Sequence, residues 1–89
     1  MEKFYLVLLW SGHCQARSYI GYRVFSEEEL KEYETRWNRW HQFCLENGKI
    51  CKYCGSSDAE MWERYEIVDE ISAPSKEEAE WKFVILYDL

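Results

Sequence analysis

Proline occurs once in the 89 residues and glycine four times, with no low-complexity tract between them. That is the composition of a folded domain and not of a disordered tail. The longest apolar run, Phe4–Trp10, is seven residues and too short to span a bilayer as a helix. No glycine-rich phosphate loop and no His-Glu-x-x-His pair occurs. Cations are scarce as well: 11 Lys and Arg stand against 17 Asp and Glu, for a net charge of −6. A non-specific nucleic-acid binder needs a cationic face to displace phosphate counterions, so direct nucleic-acid binding is not expected.

Aromatic residues, in contrast, are abundant: five Trp, seven Tyr and four Phe make up 18% of the chain. A chain this small buries only about 60% of its unfolded surface, and large rings supply a core economically. The length fits a single acidic domain over residues 1–89. The acidity is uneven. Residues 1–57 carry eight Lys/Arg against seven Asp/Glu, whereas residues 58–89 carry three against ten. A C-terminal third with a balance of −7 suits a solvated face or a surface for a basic partner.

Phe4–Trp10 is followed by Cys14, but it does not read as an export signal. The run is short, Glu2 offsets Lys3, and His13 stands where a small residue would precede the cysteine. A cytoplasmic location is expected, with the cysteines as thiols or metal ligands and not disulfides.

Lys3–Trp10 reads as a strand that is apolar on both faces. A hairpin connection leads to a second strand, Tyr19–Phe25, where Ile20, Tyr22 and Val24 alternate with Tyr19, Gly21, Arg23 and Phe25. Ser26 and Glu29 form a capping box for a helix over residues 27–47. Its apolar stripe is Leu30, Tyr33, Trp37, Trp40 and Cys44, and Asn47-Gly48 provides the stop. Trp62–Ile71 reads as a third strand, with Tyr65, Ile67 and Ile71 on one face and Glu66, Val68 and Glu70 on the other. Ser75 and Glu78 suggest a second capping box, starting a helix with Ala79, Phe83, Leu86 and Tyr87 on its inner face. Trp81, Phe83, Ile85 and Tyr87 also alternate as a strand would. The arrangement expected is an α+β domain of order ββαβα, a three-stranded antiparallel sheet with helices on one face. Its competitor is ββαββ, with a C-terminal strand at 81–87; the cap favours the helix.

One constellation suggests chemistry. Cys51-x-x-Cys54-Gly55 can turn two thiolates toward one metal, and His41 and Cys44 are three apart at the end of the long helix. If the Asn47-Gly48 stop returns the chain, His41, Cys44, Cys51 and Cys54 would form a structural Cys₃His zinc site. His13 or Cys14 would be substitutes for either helical ligand. Against this, Cys44 also continues the apolar stripe, and free cysteine is among the most buried residue types. A redox dithiol would need a helix starting at Cys51, which Gly55-Ser56-Ser57 does not supply. His13 and Cys14 are adjacent, so on a strand their side chains diverge and make a poor nucleophile–base pair. The carboxylates of residues 58–80 read as a charged face. No enzyme activity is expected.

The function expected is that of a non-enzymatic interaction module or inhibitor, binding a basic protein surface such as the groove of a nucleic-acid-binding protein. Glu63, Glu66, Asp69, Glu70, Glu77, Glu80, Trp62 and Trp81 are the residues expected to bind it. The alternative is a small binding module stapled by zinc. Because the first strand is apolar on both faces, helices on one side would leave the other face for a homodimer or another protein.

Overall fold

The computed structural model describes every residue except Cys14, Gln15 and Glu63, and every side chain except those of residues 13–17 and 61–63. The order is β1 (Glu2–His13), β2 (Ala16–Ser26), α1 (Glu27–Glu46), α2 (Asp58–Trp62), β3 (Arg64–Ala73) and α3 (Lys76–Tyr87). The three strands form one antiparallel sheet in the order β2-β1-β3. Class, sheet and ββαβα order are therefore as the sequence indicates, with a five-residue α2 added. Trp62 closes α2 and does not open β3. The C-terminal segment is a helix, as its cap predicts: the Ser75 hydroxyl accepts from the Glu78 amide at 3.3 Å.

The placement of the helices corrects the expectation of one covered face. Phe4 and Leu6 of β1 pack with Ala73, Ala79 and Phe83, which puts α3 on their side. Val7 and Leu9, of opposite parity, pack with Leu30, with Tyr33, Phe25 and Tyr65 around them, which puts α1 on the other. Alternate residues of a strand point to opposite faces, so the two helices sandwich the sheet. This accounts for the unbroken apolar run of β1: it is the central strand and is buried from both sides. Both faces of β1 are therefore covered, where its apolar run and helices on one side lead one to expect an open face.

Two bulges set the strand phases. Leu6 and Val7 oppose Asp69 and Ile67, so Val68 is an extra residue in β3; Leu9 and Trp10 oppose Gly21 and Tyr19, so Ile20 is extra in β2. A bulge flips the parity beyond it. Tyr65 and Ile67 consequently share the α1 face, whereas Ile71 lies with Phe4 on the α3 face. Strict alternation places all three together. Gly21, beside the second bulge, has φ +135°, a conformation that L side chains rarely adopt.

α1 starts with both arms of its capping box. The Glu29 amide donates to Ser26 Oγ at 3.2 Å, and the Ser26 amide donates to Glu29 Oε1 at 3.1 Å. It stops where Gly48, at φ +68°, lets the Lys49 amide donate back to the Cys44 carbonyl at 2.8 Å. The chain then makes a closed loop, held by an Ile50–Ser57 bridge and by the Asp58 amide donating to the Lys49 carbonyl at 2.9 Å.

Candidate functional site

α3 is apolar around most of its circumference. Ala79 and Phe83 are fully buried, while Trp81 and Ile85, one turn apart on the opposite side, are 63% and 74% exposed. Leu86, expected in the core with Ala79 and Phe83, is exposed as well. A two-layer contact can bury only one stripe of a helix, and here that stripe is Ala79–Phe83.

The charges of α3 are sorted by direction. Lys76 Nζ lies 3.1 Å from Glu29 Oε2 at the start of α1, and Lys82 Nζ donates to the Ser72 carbonyl at 3.2 Å. Both cations of the helix thus turn back to the body of the protein. Glu77 and Glu78, four and three residues before Trp81, are exposed beside it. The outward face of α3 is therefore an aromatic and aliphatic stripe next to carboxylates, with its lysines held elsewhere.

Of the other acidic residues expected at a binding surface, Glu66 and Asp69 pair with Leu8 and Leu6, which places them on the sheet face that carries α3. Glu80 is exposed on α3 itself. Glu70 pairs with Tyr5 and belongs to the opposite face. Asp69 is engaged: it accepts from the Tyr87 hydroxyl at 2.7 Å, and that bond to a carboxylate raises the Tyr87 pKa. Glu63 lies outside the described residues, and Trp62 is placed by its backbone alone. The structure thus brings Glu66, Asp69, Glu77, Glu80 and Trp81 to one side of the sheet and leaves Glu70 on the other.

The four residues proposed for zinc are not brought together. Among the described residues no three His, Cys, Asp or Glu side chains gather where they could hold a metal. Cys44 is buried on the inner side of α1. His41 stacks on Trp37 with centroids 5.1 Å apart, and its Nδ1 is 2.7 Å from Ser57 Oγ. Ser57 is 1% exposed and also accepts from the Glu60 amide at 3.4 Å, capping α2. The His41–Ser57 pair thus joins α1 to the start of α2. Cys51 and Cys54 lie in the turn of the loop that Ser57 closes.

Sequence reasoning missed two aromatic clusters. Trp10 stacks on Tyr19 at 6.2 Å, with the Arg64 guanidinium 6.0 Å over the indole. Their pairing depends on the β2 bulge, which periodicity does not reveal. Tyr33, Arg36, Trp37 and Trp40 line an open cleft of about 260 Å³ on α1; its signal was the excess of stripe aromatics over what one helix face can bury.

Comparison with known proteins found no matching family model, no matching curated protein and no matching solved structure. Among the described residues no helix is long and apolar enough to cross a membrane.

Proposed function

We propose that the protein is a non-enzymatic interaction module that engages a basic protein surface through the outward face of α3. The observation that carries this reading is the exposure of Trp81 and Ile85 beside Glu77 and Glu78, with Lys76 and Lys82 engaged by Glu29 and the Ser72 carbonyl. Tryptophan and branched aliphatic side chains supply desolvation energy, and the flanking carboxylates supply the sign of charge that selects a cationic partner. Glu66 and Glu80 extend the acidic field on the same side. A basic nucleic-acid-binding groove is a surface of suitable charge, and occupying it would inhibit that partner.

The test is competition. Purified basic nucleic-acid-binding domains are held on a fluorescent oligonucleotide, and its anisotropy is followed as the protein is added. Displacement of the oligonucleotide is expected for at least one domain, weakening as salt rises. Trp81→Ala and the double change Glu77→Lys, Glu78→Lys should each abolish it. Displacement that survives both variants, or none across the panel, would refute the reading.

A further inference from the structure

We infer, on that reading of α3, that its basic partner is a second copy of this chain, docked at the aromatic cleft of α1, so that copies stack head to tail. The cleft is lined by Tyr33, Arg36, Trp37 and Trp40. Its walls are set by contacts within the fold. Trp37 stacks on His41 and meets Tyr65 edge-on, with centroids 5.7 Å apart. Tyr33 packs against both Phe25 and Tyr65, at 5.3 and 5.4 Å. Aromatic walls held in this way lose little side-chain freedom when a partner arrives. Trp40, which also lines the cleft, is exposed.

Charge complementarity argues for a second copy. Arg36 is shared with an adjoining depression lined by Lys31, Glu32, Thr35 and Arg39, so three exposed cations stand there against one carboxylate. Glu34 is engaged with the Tyr65 hydroxyl, whose pKa is raised by burial first and then by this carboxylate. The outward face of α3 carries the opposite sign. Glu77, Trp81 and Ile85 follow one another at steps of four, with Glu78 beside them, while Lys76 and Lys82 are engaged by Glu29 and the Ser72 carbonyl. Opposite charges across a contact fix its register and suppress other pairings. The lengths agree as well: at the helical rise, residues 31–40 extend about 15 Å and α3 about 18 Å, so one helix can lie along the other. Because α1 and α3 lie on opposite faces of the sheet, a copy that docks its α3 leaves its own cleft open for the next. Such a contact is heterologous, and it repeats until it closes a ring or extends as a filament.

The experiment is sedimentation of the full chain from micromolar to millimolar concentration, at low and high salt. The mass should rise with concentration past that of a dimer and fall back as salt rises. Trp81→Ala removes the anchor of α3, and the double change Arg36→Glu, Arg39→Glu reverses the charge of the cleft. Each variant alone should stay monomeric, with the circular dichroism of the wild type. Mixed in equal amounts, the two should form a dimer and nothing larger, because one supplies the cleft and the other the α3 face. The proposal is overturned by a wild type that stays monomeric or stops at a dimer, by an assembly that survives either variant, or by a mixture that stays monomeric. Oligonucleotide displacement separates this result from the reading of α3 itself: the Arg36→Glu, Arg39→Glu protein should still displace, since its α3 face is intact. A wild type that displaces but stays monomeric overturns the second copy alone.

Discussion

Lys76 Nζ at the start of α3 lies 3.1 Å from Glu29 Oε2 in the first turn of α1, joining two helices that occupy opposite faces of the sheet. They meet where the chain leaves β2 for α1 and β3 for α3. Glu29 has two tasks there, since the same carboxylate receives the Ser26 amide. The Ser26 amide first, then the Lys76 ammonium, hold its pKa below the ordinary glutamate value.

The first prediction concerns acid stability. A carboxylate with a depressed folded pKa contributes stability that is present above its unfolded value and lost as pH falls through the folded one. Glu29→Gln keeps the shape needed for the cap and removes the charge. The variant should be less stable than the wild type at neutral pH, and the gap should close as pH drops below about 4. Urea midpoints across that range measure it. A gap of constant size would mean that the charge of Glu29 contributes nothing.

The second prediction concerns the joint between His41 and Ser57. Ser57→Ala removes a buried hydroxyl that both contacts His41 Nδ1 and caps α2. Leaving a buried polar group without its partner costs about 1–3 kcal/mol. Chemical denaturation should show a loss in that range. The Cys51 turn is anchored to the same loop, so its amides should exchange faster in the variant. Unchanged stability would show that water replaces the hydroxyl.

Elements marked by short-range chemistry were legible in the sequence. Ser26-to-Glu29 and Asn47-Gly48 delimit α1 because capping acts within four residues of the helix end. Ser75 decided between helix and strand for residues 76–87 in the same way, against an alternation that favoured a strand. What was not legible depends on neighbours. The bulges at Ile20 and Val68 reverse strand parity and leave no mark in hydropathy, so strict alternation places Ile71 on the wrong face. The side of the sheet that each helix takes follows from those faces and from the connections between them. At the candidate site, Trp81 and the acidic third were visible as surplus. That Ile85 shares the stripe, and that Lys76 and Lys82 are engaged by Glu29 and the Ser72 carbonyl, required the fold.

The third prediction follows from Gly21. A Cβ there would meet only the Arg23 guanidinium at 3.8 Å, so space is available and the obstacle is the backbone angle of +135°. Gly21→Ala should therefore destabilise through strain, by about 1–3 kcal/mol, without creating an overpacked core. The urea midpoint should fall with an unchanged slope. A neutral substitution would mean that the bulge at Ile20 can shift its register.

The fourth prediction separates the two sides of α3. Phe83 is fully buried against Phe4 and Leu6, so Phe83→Ala should cost about 3–5 kcal/mol, a large share of what a small domain has. Trp81→Ala and Ile85→Ser remove side chains from the solvent side, and each should stay within about 0.5 kcal/mol of the wild type. Were residues 81–87 a strand, Trp81, Phe83 and Ile85 would share one face and all three substitutions would act alike. Equilibrium unfolding of the three variants, with helicity followed by circular dichroism, decides the matter. A costly Ile85→Ser would place that residue in a contact that the α3 face does not show. Neutral Trp81 and Ile85 variants would mean that these two large apolar side chains contribute nothing measurable to folding.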